Sequence, residues 1–244
     1  MPSSFHRPRK RFGQHFLHDP RVLEKIVDAL SLQSSDFVVE IGPGEGVLTR
    51  LILERCPNLE VIEIDRDLAA QLTAQKFKVH QADALEFDYS VFPRGVRIVG
   101  NLPYNISTPL LFHLARYAER VRDMHFMLQL EVVERMVAQH STPEYGRLSV
   151  ALQARFKMKK LFNVSKGAFK PPPKVESAVV RLEPLSQIMK IDEDLLRRAF
   201  SARRKTLRNA LPGINFAALG IDAGLRPENL APEDYARICA AAVS

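Results

Sequence analysis

Four consecutive residues, Asn101 to Tyr104, form an Asn-Leu-Pro-Tyr stretch that could hold an amine for reaction. Pro103 keeps Leu102 out of the helical region, so the chain is extended there. The Asn101 side-chain carbonyl and the Leu102 main-chain carbonyl can then both point outward, beside the flat ring of Tyr104. Two such acceptors would take both N–H hydrogens of an adenine amine and orient its lone pair toward an incoming methyl group, which is catalysis by positioning and electrostatic stabilisation. Taken alone, the stretch also fits a turn with a buried tyrosine.

A glycine-rich turn follows a predicted buried strand over residues 37–41 and precedes a predicted helix, and its glycines are Gly42, Gly44 and Gly46. Glycines let the backbone approach a ligand closely, and the start of a helix offers N–H groups to it. The turn departs from the dinucleotide-binding fingerprint, because Val47 stands where a third small residue is needed. S-adenosylmethionine (SAM) has a ribose and no pyrophosphate, so it fits this turn better. The alternative is a loop that only turns a corner.

Two acidic residues lie at or just after the ends of the next two predicted strands. Glu63 comes near the end of the strand over residues 59–64, about 20 residues after the turn, which is the spacing of a carboxylate that meets ribose hydroxyls. Asp83 follows a short third strand, and an acid at that point lies on the ligand side of an open α/β sheet. We therefore expect Glu63 on the ribose and Asp83 on the exocyclic amine of the cofactor's adenine. A helix N-cap is an equally good interpretation of Asp83.

A second aromatic side chain could complete a site for a base. Phe169 stands before the stiff loop that begins with the three prolines at 171–173, and its ring could cover the second face of a base stacked on Tyr104. Packing in the core is the alternative. No metal site is predicted, because His15 and His18 have no further ligand nearby and the two cysteines are not spaced with histidines as metal ligands.

Positive charge is concentrated in three segments without acids, residues 1–11, 155–174 and 195–208. They hold 17 of the 35 lysines and arginines, which leaves 18 against all 28 acids. If the segments converge, they form the electrostatic footprint of a nucleic-acid-binding protein. The alternative is three separate solvated faces. The residues that we predict to contact RNA are Arg7, Arg9, Lys10, Arg11, Lys170, Lys174, Arg197, Arg198, Arg203, Arg204, Lys205 and Arg208.

Length and composition favour a globular α/β protein with a small appendage. The chain has 244 residues, of which 46% are apolar and 26% charged. We predict a Rossmann-like sheet with helices on both faces over residues 19–183 and a small all-helical RNA-binding domain over residues 184–244. No apolar run approaches the roughly 18 residues of a membrane helix, and the N-terminus does not look like a signal peptide. We therefore expect a cytoplasmic protein without a membrane partner.

Six stretches, in this order, resemble the rRNA adenine dimethylase family, and in particular its bacterial members that act on small-subunit (16S) rRNA: FGQHFL, EIGPGEGVLT, VIEIDRDL, QADAL, NLPYNIS and FKPPPKVESAVVRL. The resemblance covers essentially the whole chain. It implies a basic arm and SAM-covering motif over residues 1–18, a base held by Tyr104 and Phe169, and SAM contacts from His15, Leu17, Gly42, Glu63, Asp83 and Asn101. The family commonly has Asn where this chain has His15, and either side chain can form a hydrogen bond to the methionine end of SAM.

The resemblance also implies an activity, N6-dimethylation of two adjacent adenosines in a hairpin loop near the 3′ end of 16S rRNA. The expected partner is this rRNA within an immature 30S subunit, and the expected state is a monomer. Two enzyme alternatives remain open, a large-subunit rRNA methylase of the antibiotic-resistance kind and a DNA adenine methylase. A third alternative is a ribosome-assembly factor that acts mainly by binding, which the basic residues 195–208 favour.

Overall fold

The fold is taken from a computed structural model that describes residues 15–201 and 204–242. Its strands are β1 (Phe16–Leu17), β2 (Val38–Ile41), β3 (Leu59–Glu63), β4 (Lys78–Gln81), β5 (Val96–Asn101), β6 (Val121–Gln129), β7 (Phe156–Val164), β8 (Phe169–Lys170) and β9 (Ser177–Pro184). Its α-helices are α1 (Pro20–Leu30), α2 (Val47–Arg55), α3 (Arg66–Ala74), α4 (Ser107–Ala115), α5 (Leu130–Val137), α6 (Arg147–Gln153), α7 (Glu193–Ser201), α8 (Leu207–Ala210) and α9 (Pro232–Ala242). The predicted RNA contacts Arg7, Arg9, Lys10, Arg11 and Arg203 lie outside the described residues.

The main sheet has seven strands in the order β4-β3-β2-β5-β6-β9-β7. The pairs β4·β3, β3·β2, β2·β5 and β5·β6 are parallel, and β9 runs antiparallel to β6. The strand order reverses at β2, which has β3 on one side and β5 on the other. A ligand crevice is expected at such a switch point, beyond the carboxyl ends of the strands. The predicted Rossmann-like α/β sheet is confirmed.

Helix α1 begins and packs as its sequence predicts. The Asp19 side chain accepts hydrogen bonds from the main-chain N–H groups of Arg21 and Val22, and Pro20 occupies the first turn, where its missing N–H is harmless. Apolar residues at helical spacing form one buried face, made of Leu23, Ile26, Val27 and Leu30. This face joins the same buried cluster as Val38 of β2 and Val99 of β5, so α1 covers one side of the sheet beside the switch point.

The described residues form two compact units. The first comprises residues 15–133 and 159–183, and the second comprises residues 134–158 and 184–242. The boundary differs from the predicted one, which placed residues 134–158 in the large domain. The difference arises because α6 packs against α7 and α9, a choice of partner that helical periodicity cannot show. A buried hydrogen bond within the second unit supports this grouping, from the Tyr145 hydroxyl to the Leu230 carbonyl (2.9 Å).

A buried ionic network ties α1 to the sheet. Arg97 of β5 lies 2.8 Å from a carboxylate oxygen of Asp36 and 2.8 Å from one of Asp123 on β6, and all three side chains are at most 5% exposed. The same guanidinium donates to the main-chain carbonyl of Leu30, at the C-terminal end of α1. Although burial raises the pKa of Asp36, hydrogen bonds from Gln33 and Arg97 outweigh it and lower that pKa below its ordinary value. Asp36 therefore stays ionised at neutral pH. Although burial lowers the pKa of Arg97, its bonds to Asp123 and Asp36 raise that pKa overall, so Arg97 also stays charged.

We predict that Arg97→Met lowers the free energy of unfolding by about 3–5 kcal/mol, because it removes the buried cation that lies between the Asp36 and Asp123 carboxylates. The matched control is Arg122→Met, since Arg122 also binds Asp36 (2.7 Å) but its side chain is 55% exposed. We expect the control to change stability by at most about 1 kcal/mol. Urea unfolding followed by circular dichroism measures both, and equal losses in the two variants would contradict the assignment.

Candidate active site

One cavity in the first unit brings together the residues that the sequence predicted as cofactor contacts. It is lined by His15, Leu17, Gly42, Glu63, Asp83 and Asn101, and also by Leu102 and Tyr104. Six of these residues belong to or follow β2, β3, β4 and β5, whose parallel order delivers them to one edge of the main sheet, while His15 and Leu17 come from the segment of β1, outside that sheet. The cavity lies at the switch point, where such sheets bind ligands.

The backbone of the glycine turn after β2 has a conformation that would be strained for residues other than glycine. Gly42 and Gly44 have φ values of 68° and 58°, in the left-handed region that favours glycine. A Cβ at Gly44 would lie 2.9 Å from the Phe16 ring, which is too close, and a Cβ at Gly42 would lie 3.9 Å from the main-chain oxygen of Asn101. The turn is thus in contact with both β1 and the end of β5.

Glu63 fixes the shape of this turn. Its carboxylate oxygens accept hydrogen bonds from the N–H of Gly44 (3.3 Å) and from the N–H of Asp65 (2.8 Å), and the residue is 5% exposed. Burial raises its pKa above the ordinary value. Each carboxylate oxygen has a second lone pair, so Glu63 can still accept a hydrogen bond from a ribose hydroxyl in the cavity.

The Asp83 carboxylate caps a turn, and the residue also lines the cavity. One carboxylate oxygen accepts a hydrogen bond from the N–H of Leu85 (2.9 Å), so the side chain caps a turn, although no helix follows it directly. The residue is partly buried and lines the cavity. Its second oxygen is the one that can receive an amine.

Glu40 is a cavity residue that the sequence reasoning missed. It lies on the buried strand β2, is 2% exposed, and accepts a hydrogen bond from the Thr49 hydroxyl (2.6 Å). Burial raises its pKa to about 7, and the nearby Glu63 carboxylate adds to this shift. The available signal was an acid inside an otherwise apolar strand. With Glu45, Glu63 and Asp83, it makes four acidic residues that line the cavity, which suits a cationic nucleoside.

The amide of Asn101 is held in one orientation. Its Nδ2 donates to the main-chain carbonyl of His15 (2.9 Å), so Oδ1 points away from that contact. The next residue, Leu102, is 1% exposed, and its N–H donates to the carbonyl of Met127 on β6 (3.2 Å). In the part of the chain that the structure describes, neither Asn101 Oδ1 nor the Leu102 carbonyl accepts a hydrogen bond. Both residues line the cavity, which is consistent with the two acceptors proposed from the sequence.

Tyr104 is held at its hydroxyl and at its ring. The hydroxyl shares a hydrogen bond of 2.7 Å with the hydroxyl of buried Ser177, the first residue of β9. The ring stacks on the His15 imidazole, with centroids 5.5 Å apart and planes at 29°. Burial raises the pKa of the Tyr104 phenol, so the side chain is neutral at physiological pH. It presents a fixed flat surface at the cavity edge.

Phe169 is not brought to the cavity, which differs from the predicted clamp. It is 2% exposed, pairs with Leu17 in the small β1·β8 sheet, and belongs to the cluster that packs on α1. The sequence placed Phe169 correctly before an extended loop. It could not show which way the ring turns, and here the core-packing alternative describes the side chain.

His125 on β6 is a second cavity residue without a sequence prediction. It is 2% exposed, lies 3.6 Å from a carboxylate oxygen of Asp123, and burial lowers its pKa to about 4. Among the described residues, neither ring nitrogen has a hydrogen-bond partner. A buried neutral imidazole thus offers one donor and one acceptor to the cavity.

The predicted RNA contacts that the structure describes are all exposed. Lys170 and Lys174 belong to the first unit. In the second unit, Arg197 lies 3.0 Å from Asp194 within α7, and the remaining predicted contacts in that unit are Arg198, Arg204, Lys205 and Arg208. Each unit therefore presents positive charge to solvent.

Neither a metal-binding cluster nor a membrane-spanning helix is found in residues 15–201 and 204–242. Within these ranges, no three His, Cys, Asp or Glu side chains are grouped so that they could hold a metal ion. In the same ranges, no helix is both long enough and apolar enough to cross a membrane.

Comparison with protein families matches residues 5–242 of the chain to the model of ribosomal RNA adenine dimethylase. A protein of Thiobacillus denitrificans named ribosomal RNA small subunit methyltransferase A is 55% identical over 249 aligned positions, which cover 96% of this chain and 98% of the relative. A protein of the same name from Aromatoleum aromaticum is also 55% identical, with 96% and 94% of the two chains covered.

Solved structures of methyltransferases share the fold over most of the chain. A dimethyladenosine transferase from Plasmodium falciparum superposes with a TM-score of 0.80 at 28% identity, covering 92% of this chain and 96% of that one. The 23S rRNA methyltransferase ErmE superposes with a TM-score of 0.70 at 25% identity, covering 91% of this chain and 97% of that one.

Glu40 gives a testable dependence of stability on pH. The folded protein keeps a proton on Glu40 up to about pH 7, whereas the unfolded chain releases it near the ordinary value of 4.5. The Glu40 contribution to stability therefore falls as pH rises through this window. Relative to wild type, Glu40→Gln should gain up to about 3 kcal/mol of unfolding free energy between pH 4 and pH 8. Urea unfolding at several pH values measures this, and a difference that stays constant with pH would contradict the raised pKa.

Proposed function

The chain belongs to the ribosomal RNA adenine dimethylase family, and from this premise we propose that it methylates two adjacent adenosines in a hairpin loop near the 3′ end of small-subunit (16S) rRNA. As a member of this family, it is a SAM-dependent methyltransferase that dimethylates rRNA adenine at N6. The family, the activity and the cofactor predicted from the sequence are confirmed. We further propose that it acts in the cytoplasm as a monomer on an immature 30S subunit.

The choice of small-subunit rRNA is supported by the relatives. The curated proteins that match at about 55% identity over nearly the whole chain carry the small-subunit name. The structure named as a 23S rRNA methyltransferase matches at 25% identity. The extended segment FKPPPKVES and the basic second unit favour the same substrate. Large-subunit rRNA and DNA are the competing substrates.

The observation that carries the mechanism is the pair of acceptors at the end of β5. Asn101 gives its Nδ2 to the His15 carbonyl, so Oδ1 is left to accept one N–H of the target amine. The Leu102 carbonyl accepts the other. Together they direct the nitrogen lone pair away from the ring system and stabilise the positive charge that develops on the nitrogen. When bound, SAM supplies an electrophilic methyl group. After the first transfer one N–H remains, so one acceptor still orients the amine for the second.

The cavity residues fit SAM in charge and shape. Glu63, already fixed by the turn, would accept from ribose hydroxyls, and Asp83 would accept from the adenine amine of the cofactor. Gly42 and Leu17 would border the remainder of the molecule. Tyr104 would stack on the target base, since its ring is fixed and lies at the cavity edge. Glu40 places further negative charge beneath a cationic ligand.

Asn101→Ala tests the mechanism. We expect it to slow methyl transfer by about two orders of magnitude, because one preorganised acceptor is lost. The rate is measured in single-turnover assays with labelled SAM and unmodified small subunits. The control is Asn58→Ala, an exposed asparagine just before β3 at the opposite edge of the sheet. Equal rates for Asn101→Ala and wild type would remove Asn101 from the mechanism. Faster wild-type methylation of large subunits or of DNA would instead overturn the substrate assignment.

We propose that the second unit binds RNA through the exposed basic residues Arg204, Lys205 and Arg208. Changing these three residues to Gln should lower the slope of log affinity against log salt by about 2, because fewer counterions are released from RNA phosphates. The dissociation constant for SAM should not change. Arg226→Gln, another exposed arginine of the same unit, is the control. Filter binding to small subunits at several salt concentrations gives the slopes, and an unchanged slope would argue against this surface.

The same basic surface favours a second candidate function, subunit assembly led by binding. The two functions separate in cells that carry only the Asn101→Ala variant. If small subunits mature at the wild-type rate while methylation is lost, binding is the primary role. If maturation fails with binding intact, methylation is required.

A further inference from the structure

The Tyr104 hydroxyl is paired with a side chain from a strand far along the sequence. Tyr104 belongs to the turn between β5 and α4, and its hydroxyl lies 2.7 Å from that of Ser177, the first residue of β9. Both residues belong to the first unit. Among the described residues, neither hydroxyl has another hydrogen-bond partner. The two hydroxyls therefore depend on each other at the edge of the cavity.

The backbone of β9 determines where the Ser177 hydroxyl lies. Ser177 is 0% exposed, and its main chain pairs with Gln129 where β9 runs antiparallel to β6. The carbonyl of the preceding residue, Glu176, accepts the N–H of Leu130 (2.9 Å). These contacts hold the main chain on both sides of the serine, so the sheet supplies a fixed partner for the phenol.

The Tyr104 side chain is held at both of its ends. At the main chain, its carbonyl accepts a hydrogen bond from the Ser107 hydroxyl in the first turn of α4 (3.1 Å). At the far end, Ser177 fixes the position of the phenol oxygen, and with it the direction of the side chain. Since the phenol O–H lies in the plane of the ring, this hydrogen bond also favours one orientation of that plane. The last torsion of a tyrosine is otherwise broadly distributed.

We propose that Ser177 is a positioning residue for methyl transfer, which holds the Tyr104 ring in the orientation on which the target adenine stacks. This inference rests on the proposed function, in which the base lies against Tyr104 while the acceptors of Asn101 and Leu102 take its amine. A stacking surface that is fixed before the base arrives does not have to be ordered during binding, so the reacting amine reaches its acceptors more often.

The place of Ser177 in the chain also connects the ring to a segment that we predict to contact RNA. Residues 171–176 join β8 to β9, and Ser177 follows them directly. Lys170 at the end of β8 and Lys174 within the segment are both exposed. One stretch of chain would thus contact the RNA backbone and, at its end, orient the ring for the base.

The alternative is that the pair only satisfies two polar groups inside the protein. A buried hydroxyl needs a hydrogen-bond partner, and loss of that partner destabilises the fold whatever the site does. A purely structural contact would therefore change the free energy of unfolding and leave the rate of the folded, saturated enzyme unchanged. Measurement of both quantities separates the two roles.

A double-mutant cycle with Ser177→Ala and Tyr104→Phe tests the proposal, because each change removes one hydroxyl and keeps the aromatic ring. We expect each single variant to lower the single-turnover rate at saturating SAM and small subunits about 3- to 5-fold, and the double variant to lower it no further. The dissociation constants for SAM and for small subunits should stay within about 2-fold of wild type. The control is Ser149→Ala, which removes another buried serine hydroxyl, in the second unit, and should keep the wild-type rate.

Three results would overturn the proposal. An unchanged rate in Ser177→Ala would leave the serine without a role in transfer. Losses that multiply in the double variant would show that the two hydroxyls act separately. A loss that appears only as weaker SAM binding would show a contact with the cofactor instead.

Urea unfolding of the same variants without substrate reports the hydrogen bond by itself. Residues that are coupled give non-additive changes in stability, so additive changes would also overturn the proposal. If the coupling is present but wild type does not methylate small subunits, the proposed function fails while the hydrogen bond stands.

Discussion

The site depends on how closely the ends of β2 and β5 approach each other. A Cβ at Gly100 would lie 2.6 Å from the main-chain oxygen of Ile41, so only glycine allows the two strands to run side by side to their ends. Parallel pairing of Val38, Val39 and Glu40 with residues 97–99 sets the register. As a result, the glycine turn that follows β2 and the Asn101 amide that ends β5 emerge together at the switch point. A methyl donor at one and an acceptor amine at the other would then be neighbours.

The segment that contains β1 completes this edge from outside the main sheet. β1 pairs only with β8 among the described strands, and it places His15, Phe16 and Leu17 along the cavity. Phe16 packs against Gly44, while the carbonyl before it orients Asn101. The two short strands therefore connect the glycine turn, the amide and the loop before the prolines. Direct contacts thus join all three.

Sequence reasoning correctly predicted which residues the strand order brings together. Glu63, Asp83 and Asn101 each stand at or just past the carboxyl end of a strand, and parallel strands bring such ends to one edge, so their convergence followed from the pattern. It failed where packing decides. The side to which Phe169 turns depends on the β1·β8 pairing, and the core that residues 134–158 join depends on which helices meet α6. Neither choice is encoded in local periodicity, since both involve contacts distant in sequence.

The ionised carboxyl groups of Glu40 and Glu63 destabilise the free protein, and a bound cation would reduce this cost. Burial raises both pKa values, repulsion from Glu63 adds to the shift of Glu40 and repulsion from Asp65 adds to that of Glu63, so their ionised forms are held at a free-energy cost. A positive sulfonium bound in the cavity, as proposed above, would offset that cost through its opposite charge. The demethylated product carries a neutral sulfur and would offset less of this free-energy cost. Glu40 and Glu63 would therefore favour binding of the charged SAM over binding of its demethylated product. Repeated turnover on two adjacent adenosines requires this preference.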